Sequence, residues 1–155
     1  MNISLNETEQ RLVRHIARLR YEANRASQTS NAKIGGQSDA LTDLEGFAAE
    51  VAWCKANNCY PDLSTARGRP TFDAVMHDGT RVDIKATRHA QGKLLATRWK
   101  QPAGVDAYCL LVGQFPHYRQ VGYMLAQELL QPANLVDLGY GLTYAAEQYR
   151  LRPTP

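Results

Sequence analysis

The segment Thr71–Thr87, which reads TFDAVMHDGTRVDIKAT, decides the fold of this chain. In its second half, Arg81–Thr87, apolar and polar residues alternate, and this pattern predicts a strand with one buried face. A similar run, Thr71–Met76, precedes it. Asp-Gly between two such runs is typical of a hairpin turn. The segment therefore predicts a β-hairpin, and the register of that hairpin sets which side chains share a face.

A two-residue Asp-Gly turn gives the first of two possible registers. It would place Asp73 opposite Ile84 and Phe72 opposite Lys85. Both faces of the hairpin would then mix charged and apolar groups, which a half-buried sheet avoids.

A three-residue loop, His77–Gly79, gives the second register, with Gly79 left-handed in a bulge. One face is then wholly apolar and holds Phe72, Ala74, Val82 and Ile84. On the other face Asp73 lies opposite Asp83, and Lys85 is next along the strand. Because like charges opposite one another destabilise a sheet, this face favours a site for a divalent cation. Carboxylate oxygens are ligands that magnesium and manganese prefer.

Length and composition restrict the class of protein. The 155 residues, 44% of them hydrophobic, fit one domain and are too few for two. The chain has no apolar run long enough to cross a membrane, and its first residues are polar, so we expect a cytoplasmic protein. Three cysteines without CxxC spacing argue against a disulfide framework or a zinc site. The net charge of +3 permits a nucleic acid partner without requiring one.

Two helices are predicted before the hairpin. Asn6 followed by Glu9 fits an N-cap for a helix from about Glu7 to Ala26. Its apolar side is predicted to hold Leu12, Ile16, Leu19 and Ala23. Its opposite side carries Arg11, Arg14, Arg18 and Arg25, which form either a solvated face or a surface for phosphates. A polar loop is expected at Ser27–Ala40, and a second helix from Thr42 or Asp43 to about Asn57.

The second helix contains two glutamates that compete for the same role. Glu50 lies roughly 80° from the centre of the apolar stripe and Glu45 roughly 140°. Glu50 is thus able to reach a sheet, whereas Glu45 is expected to point to solvent near the helix N-terminus.

After the hairpin the sequence predicts a basic stretch, two strands and a mixed tail. The basic stretch is Arg88–Lys100, the strands are Val105–Val112 and about Arg119–Leu125, and the tail from Ala126 combines a short helical piece with loops. The fold class is therefore α/β, with a mixed central sheet flanked by helices.

The order of acidic and basic residues resembles the PD-(D/E)xK nuclease superfamily. The matching stretches are Gly46–Glu50 on the helix, Phe72-Asp73, and Val82–Lys85. An aspartate, Asp106, opens the following apolar strand, as in small phage and prokaryotic members. The resemblance covers about residues 41–125 and implies a restriction-endonuclease-like core, preceded by an N-terminal helix and loop (1–40) and followed by a C-terminal extension (126–155).

The resemblance also implies a function and roles for individual residues. It implies a magnesium-dependent deoxyribonuclease, with manganese as an alternative metal, in a prokaryotic or phage-infected cell. Asp73, Asp83 and the backbone carbonyl of Ile84 would hold the metal, and Glu50 would complete the site directly or through a water. Lys85 would orient the attacking water or stabilise the developing charge.

DNA is the expected partner, and no membrane partner is expected. The basic residues that are candidates for DNA contact are Arg14, Arg18, Arg88, Lys93, Arg98 and Lys100; those around Trp99 either contact DNA or flank a loop. The sequence leaves a homodimer open. Two rival interpretations are a non-catalytic DNA-binding or assembly protein that retains the fold, and an unrelated domain that binds no metal.

Overall fold

The structure, a computed structural model, describes residues 1–27, 38–66 and 68–153. These residues form a mixed α/β fold with two sheets and two long helices. In chain order the elements are β1 (Asn2–Ser4), α1 (Glu7–Ala26), α2 (Asp39–Ala56), β2 (Ala74–Val75), β3 (Arg81–Thr87), β4 (Leu94–Thr97), β5 (Ala107–Gln114), β6 (His117–Leu125), α3 (Ala126–Leu129), β7 (Leu135–Asp137) and β8 (Leu142–Ala146). Short 3-10 turns at Pro132–Asn134 and Gln148–Arg150 flank the last two strands.

The larger sheet has five strands in the order β1-β6-β5-β3-β2. Strand β3 runs parallel to β5 and antiparallel to β2, so the sheet is mixed, as expected. The hairpin has the register of the three-residue loop, because Ala74 pairs with Val82 and Val75 with Arg81. Gly79 has a φ of +89°, a conformation that favours glycine. Strand β2 is much shorter than the predicted Thr71–Met76, since only two of its residues pair.

Helix α1 has the predicted limits, because Asn6 and Glu9 form a reciprocal capping box. Its predicted apolar side was wrong in part. The buried residues are Val13, Ile16, Ala17 and Arg20, whereas Leu12 is 38% exposed. The helix packs chiefly on α2. Its buried face is centred on the side that includes Arg20, so Leu12 lies outside that face.

Helix α2 begins earlier than predicted, at Asp39, with Ser38 as its N-cap. The last two residues of the predicted loop Ser27–Ala40 are therefore helical; residues 28–37 of that loop lie outside the described part of the chain. Helix α2 covers the face of the larger sheet that contains Val82 and Ile84. Within the described residues no helix is both long and apolar enough to span a membrane.

A second sheet, with the strand order β4-β8-β7, covers the opposite face. Strand β4 lies inside the basic stretch Arg88–Lys100, and β7 and β8 lie in the tail; none of these three strands was predicted. Leu94 of β4 pairs with Ala146 of β8, 52 residues away in the sequence, and both are buried with Tyr108 and Leu110. The tail thus forms part of the second core and covers the face that carries Asp83.

Candidate functional site

Asp83 lies in the middle of β3 and is only 2% exposed. Its two carboxylate oxygens each form an ion pair with a lysine. The Nζ of Lys85 pairs with Oδ1, and the Nζ of Lys100 lies 2.9 Å from Oδ2. Lys100 belongs to the turn after β4, where its backbone N–H donates to the carbonyl of Thr97 at 3.0 Å. Two cations, one from β3 and one from the turn after β4, therefore compensate the charge of one buried carboxylate.

Asp73 comes directly before β2 and sits at the outer edge of β3. Its backbone N–H donates to the carbonyl of Val82 at 2.8 Å, and its carboxylate accepts a bond from the N–H of Ile84 at 2.6 Å. The register of the hairpin had suggested that Asp73 pairs with Asp83, but Asp73 is not part of the ladder. Because strand β2 starts only at Ala74, the Asp73 side chain takes the place of a further strand residue and lies beside β3.

Glu50 of α2 is a third carboxylate in this region, with its side chain 16% exposed. It accepts a hydrogen bond from Nη1 of Arg20 at 3.1 Å. The same arginine donates to the carbonyls of Asp62 and Ser64, at 2.7 and 3.1 Å, and its guanidinium lies 4.3 Å from the centre of the Phe47 ring. Arg20, which the sequence did not indicate, fixes Glu50 and the loop after α2 to α1.

Burial and mutual repulsion shift the ionisation of these acids. Burial first, and then the charge of Asp73, raises the pKa of Glu50 to about 8, against the opposing effect of Arg20. Burial and the charge of Asp83 raise the pKa of Asp73 to about 6, although Lys85 and the Ile84 N–H oppose this. Asp73 therefore interacts electrostatically with the acid on either side of it, one on the helix and one on the strand.

Lys85 is held as a cation. Burial lowers its pKa, but Asp83, Asp73 and Glu50 together outweigh that effect and raise it. Tyr108 of β5 pairs with Asp83 in the parallel register and is fully buried. Its hydroxyl has no hydrogen-bond partner within the described residues, and burial followed by the charges of Asp83 and Asp73 raises its pKa. The hydroxyl is a polar group of this region that the sequence did not indicate.

Glu45 does not point to solvent, which corrects the expectation from the helical wheel. Its side chain is 14% exposed and accepts hydrogen bonds from the N–H of Phe115, the hydroxyl of Tyr118 and the guanidinium of Arg88, at 2.9 to 3.1 Å. These partners fix α2 to the β5–β6 turn. Glu50, and not Glu45, is therefore the glutamate that interacts with Asp73.

The predicted DNA-contact residues fall in three settings. On α1, Arg18 pairs with Glu22 at 2.8 Å and Arg14 stacks over the ring of Phe115, 4.8 Å from its centre. Arg88 and Lys93 form ion pairs, at 2.9 and 2.7 Å, with Glu45 and Glu147 respectively. Lys100 pairs with Asp83, and Arg98 stacks on Trp99. Only Lys100 is brought into the acidic site itself.

Asp106, the acid that opens the strand after the hairpin, has a structural role. Its carboxylate accepts two hydrogen bonds from the guanidinium of Arg81, at 2.9 and 2.8 Å, and one from the Arg81 backbone N–H. This pairing lowers the pKa of Asp106 to about 2. It fixes the start of β3 against the start of β5.

A cavity of about 450 Å³ opens beside the acids. Arg20 and Asn24 of α1, Glu50 of α2, and Arg69, Phe72 and Asp73 from the segment before β2 line it. Arg69 was not indicated by the sequence, and its charge acts against the raised pKa of Glu50. The cavity gives solvent and small ligands access to Glu50 and Asp73.

The donor set fits a hard divalent cation in its chemistry. Within the described residues no three His, Cys, Asp or Glu side chains lie close enough together to hold a metal. Magnesium, however, usually keeps several waters and binds one or two carboxylates plus substrate phosphates. Burial first, and then repulsion from a neighbouring carboxylate, raises the pKa values of Asp73 and Glu50, and a cation at Asp73 would favour their ionised forms.

No protein-family model matches the chain, and no curated protein is significantly similar to it.

Proposed function

We propose that this protein is a metal-dependent nuclease that hydrolyses phosphodiester bonds in DNA, with magnesium or manganese as the cofactor. The observation that carries the proposal is that Asp73 lies beside β3, near enough to Asp83 and Lys85 for their charges to act on it. Three further features support it: Glu50 lies on the neighbouring helix, the acids repel one another, and a cavity opens at Glu50 and Asp73.

The fold supports the resemblance to a restriction-endonuclease-like core. The order of a helix glutamate, a hairpin aspartate and a strand Asp-x-Lys is found on α2, before β2 and on β3 of a mixed sheet. The proposed cellular location is the cytoplasm of a prokaryotic or phage-infected cell.

The proposed roles follow from the positions of the side chains. Asp73 and Asp83 would hold the cation, with Glu50 contributing directly or through a water. The Ile84 carbonyl is a further ligand candidate, because the N–H and C=O of one strand residue point to the same side and the Ile84 N–H points to Asp73. When bound, the metal supplies Lewis-acid activation of the scissile phosphate and of water.

Lys85 is the proposed catalytic cation. Its ammonium stays protonated because the surrounding carboxylates raise its pKa, so it stabilises negative charge that develops on the phosphate and orients the water. The side chain of Lys85 is 34% exposed, whereas that of Asp83 is 3% exposed. The ammonium is therefore the part of this pair that a phosphate can approach.

The test is a cleavage assay on linear, circular, single-stranded and branched DNA. Magnesium or manganese should support cleavage and a chelator should abolish it. Lys85→Ala should be inactive, while Lys55→Ala, which removes a lysine paired with Glu9 outside the site, should cleave at nearly the wild-type rate. Absence of cleavage on every substrate with either metal would overturn the proposal.

DNA binding without hydrolysis is a second candidate function. The observation that favours it is the double ion pair at Asp83, since two lysines already compensate a carboxylate that the metal would require. This candidate predicts DNA binding that neither manganese nor chelator changes. The assay above separates the two functions, because a non-catalytic binder retains DNA and does not cut it.

A further inference from the structure

The two tryptophans of this chain have opposite environments. Trp53 is fully buried in α2, whereas Trp99 is 72% exposed on the turn after β4. A large aromatic ring in water forgoes the stabilisation that burial would give it, on the order of 2 kcal/mol. Fold stability therefore does not explain the position of Trp99.

Trp99 is held in place by its neighbours on both sides. The turn is closed by the bond from the N–H of Lys100 to the carbonyl of Thr97. The guanidinium of Arg98 stacks on the Trp99 ring, 3.9 Å from its centre. Arg98 is exposed and has no carboxylate partner in the described part of the chain. The turn thus presents a ring with a cation on one face while most of the ring remains accessible.

This turn is directly connected to the proposed active site. Lys100, the residue after Trp99, reaches Asp83 with its ammonium at 2.9 Å. From bond geometry, one peptide unit and an extended lysine side chain place the Cα of Trp99 within roughly 13 Å of that carboxylate. A short run of nucleotides spans this distance.

A second exposed aromatic residue lies at the same end of the small sheet. Strand β4 ends at Thr97, which pairs with Thr143 at the start of β8. Tyr140 precedes β8 by two residues, as Trp99 follows β4 by two, and Tyr140 is also 72% exposed. The pairing of the two strands therefore brings both aromatic residues to one end of the sheet.

We propose that Arg98, Trp99 and Tyr140 form a stacking surface for unpaired nucleobases, so that the substrate is single-stranded or frayed DNA. Aromatic rings bind successive bases without sequence preference, because every base has a π-face, and neighbouring cations track the phosphates. A duplex hides the faces of its bases and offers only phosphates to such a surface. The inference rests on the proposed function, since it names the form of DNA that this active site receives.

The experiment measures binding in calcium, so that it does not depend on cleavage. A labelled oligo-dT and a blunt duplex of equal length are each titrated with wild type, Trp99→Ala, Trp99→Phe and Tyr140→Ala. The matched control is Tyr149→Ala, which removes an 86% exposed tyrosine beyond the opposite end of β8.

Trp99→Ala should weaken oligo-dT binding about tenfold or more and duplex binding less than twofold. Trp99→Phe should stay near wild type because phenylalanine still stacks, Tyr140→Ala should weaken oligo-dT binding, and Tyr149→Ala should change neither. Oligo-dT should also alter the tryptophan emission of wild type but not of Trp99→Phe, whose single remaining tryptophan is buried.

Several results would overturn the stacking surface. One such result is that Trp99→Ala binds oligo-dT as tightly as wild type. Another is that Trp99→Ala loses as much affinity for the duplex as for oligo-dT. A third is that the protein forms dimers that require Trp99, while DNA binding does not require it. A protein that cuts DNA but shows one of these results refutes the stacking surface alone. A protein that shows the predicted binding and never cuts refutes the nuclease alone.

Discussion

The ammonium of Lys100 lies 2.9 Å from Oδ2 of Asp83, although 17 positions separate the two residues in the sequence. The contact joins the turn after β4 to the centre of β3. It places a protein cation on an oxygen that the proposed metal would use. Lys100 and a divalent ion would therefore compete for Asp83, and such a competition can be measured.

Removing Lys100 should strengthen metal binding. In Lys100→Met the Oδ2 of Asp83 loses the ammonium that pairs with it. The negative charge of Asp83 then attracts a metal cation more strongly. We expect manganese to bind the variant more tightly than wild type by calorimetry, and to raise its melting temperature more at equal concentration. Lys93→Met is the control and should behave as wild type. Weaker manganese binding by Lys100→Met would contradict the competition.

Removing Lys85 should separate catalysis from binding. Loss of one positioned electrostatic group commonly costs on the order of a hundredfold or more in rate, whereas one cation among many contributes about one unit of salt slope at most. Lys85→Ala should therefore bind DNA in calcium nearly as well as wild type and cleave it hardly at all in single-turnover experiments. Cleavage at the wild-type rate would remove Lys85 from the mechanism.

The arginines of α1 should show the reverse behaviour if that face contacts DNA. Arg14 and Arg18 are exposed, so their replacement by alanine should leave the fold intact. We expect each variant to weaken DNA binding and to lower the slope of log affinity against log salt by about one unit. Unchanged affinity and slope would show that α1 presents a solvated face only.

The stability of the metal-free protein should fall as the pH rises. The pKa of Glu50 is about 8 in the folded protein against 4.5 for an ordinary glutamate, and that of Asp73 is about 6 against 3.8 for an ordinary aspartate. Between the unfolded and folded pKa values the native state retains protons that the unfolded chain has lost. The free energy of unfolding therefore decreases through this window. Calorimetry in chelator should show a lower melting temperature at pH 8 than at pH 5, by roughly 3 °C per kcal/mol lost.

Glu50→Gln isolates the glutamate contribution to this pH dependence. The amide does not titrate, so the decrease above pH 6 should become shallower in the variant. Manganese should stabilise wild type more at pH 8 than at pH 6, because a larger fraction of the carboxylates has then lost its proton. Identical pH profiles for wild type and Glu50→Gln would show that Glu50 titrates normally.

Arg20 should be essential for stability. Arg20→Met leaves Glu50 without its ion pair and the carbonyls of Asp62 and Ser64 without their donor. Breaking a buried pair in this way costs about 3–5 kcal/mol. Arg20→Lys retains the charge but loses the planar guanidinium. Its free energy of unfolding in urea should therefore fall less than that of Arg20→Met. The exposed pair of Arg18 with Glu22 gives the control, since Arg18→Met should cost about 1 kcal/mol or less.

Local signals in the sequence predicted the parts of the fold that local chemistry determines. The capping box at Asn6 and Glu9 set the start of α1, and the alternation of apolar residues on either side of Gly79 selected the three-residue hairpin loop. The inner face of α1 could not be read in this way. Hydrophobicity favours Leu12 over Arg20 for burial, yet Arg20 is buried because Glu50 and two carbonyls from distant segments satisfy its donors.

Contacts between distant residues account for what the sequence did not predict. Strands β4, β7 and β8 are three to five residues long, and β4 depends on a partner in the tail. Asp83 and Lys85 were found together because they are neighbours on one strand. Lys100 was assigned only to DNA contact, since nothing local to it indicates the ion pair with Asp83.

The carboxylate of Asp73 also limits the growth of the sheet. From Ile84 onward the outer edge of β3 has no partner strand among the described residues, and such an edge is a template for pairing with another chain. The bond from the Ile84 N–H to Asp73 occupies this edge with a side chain. Replacing Asp73 by alanine would expose a strand edge, with self-association as the consequence. Loss of activity in such a variant therefore has to be read together with its state of aggregation.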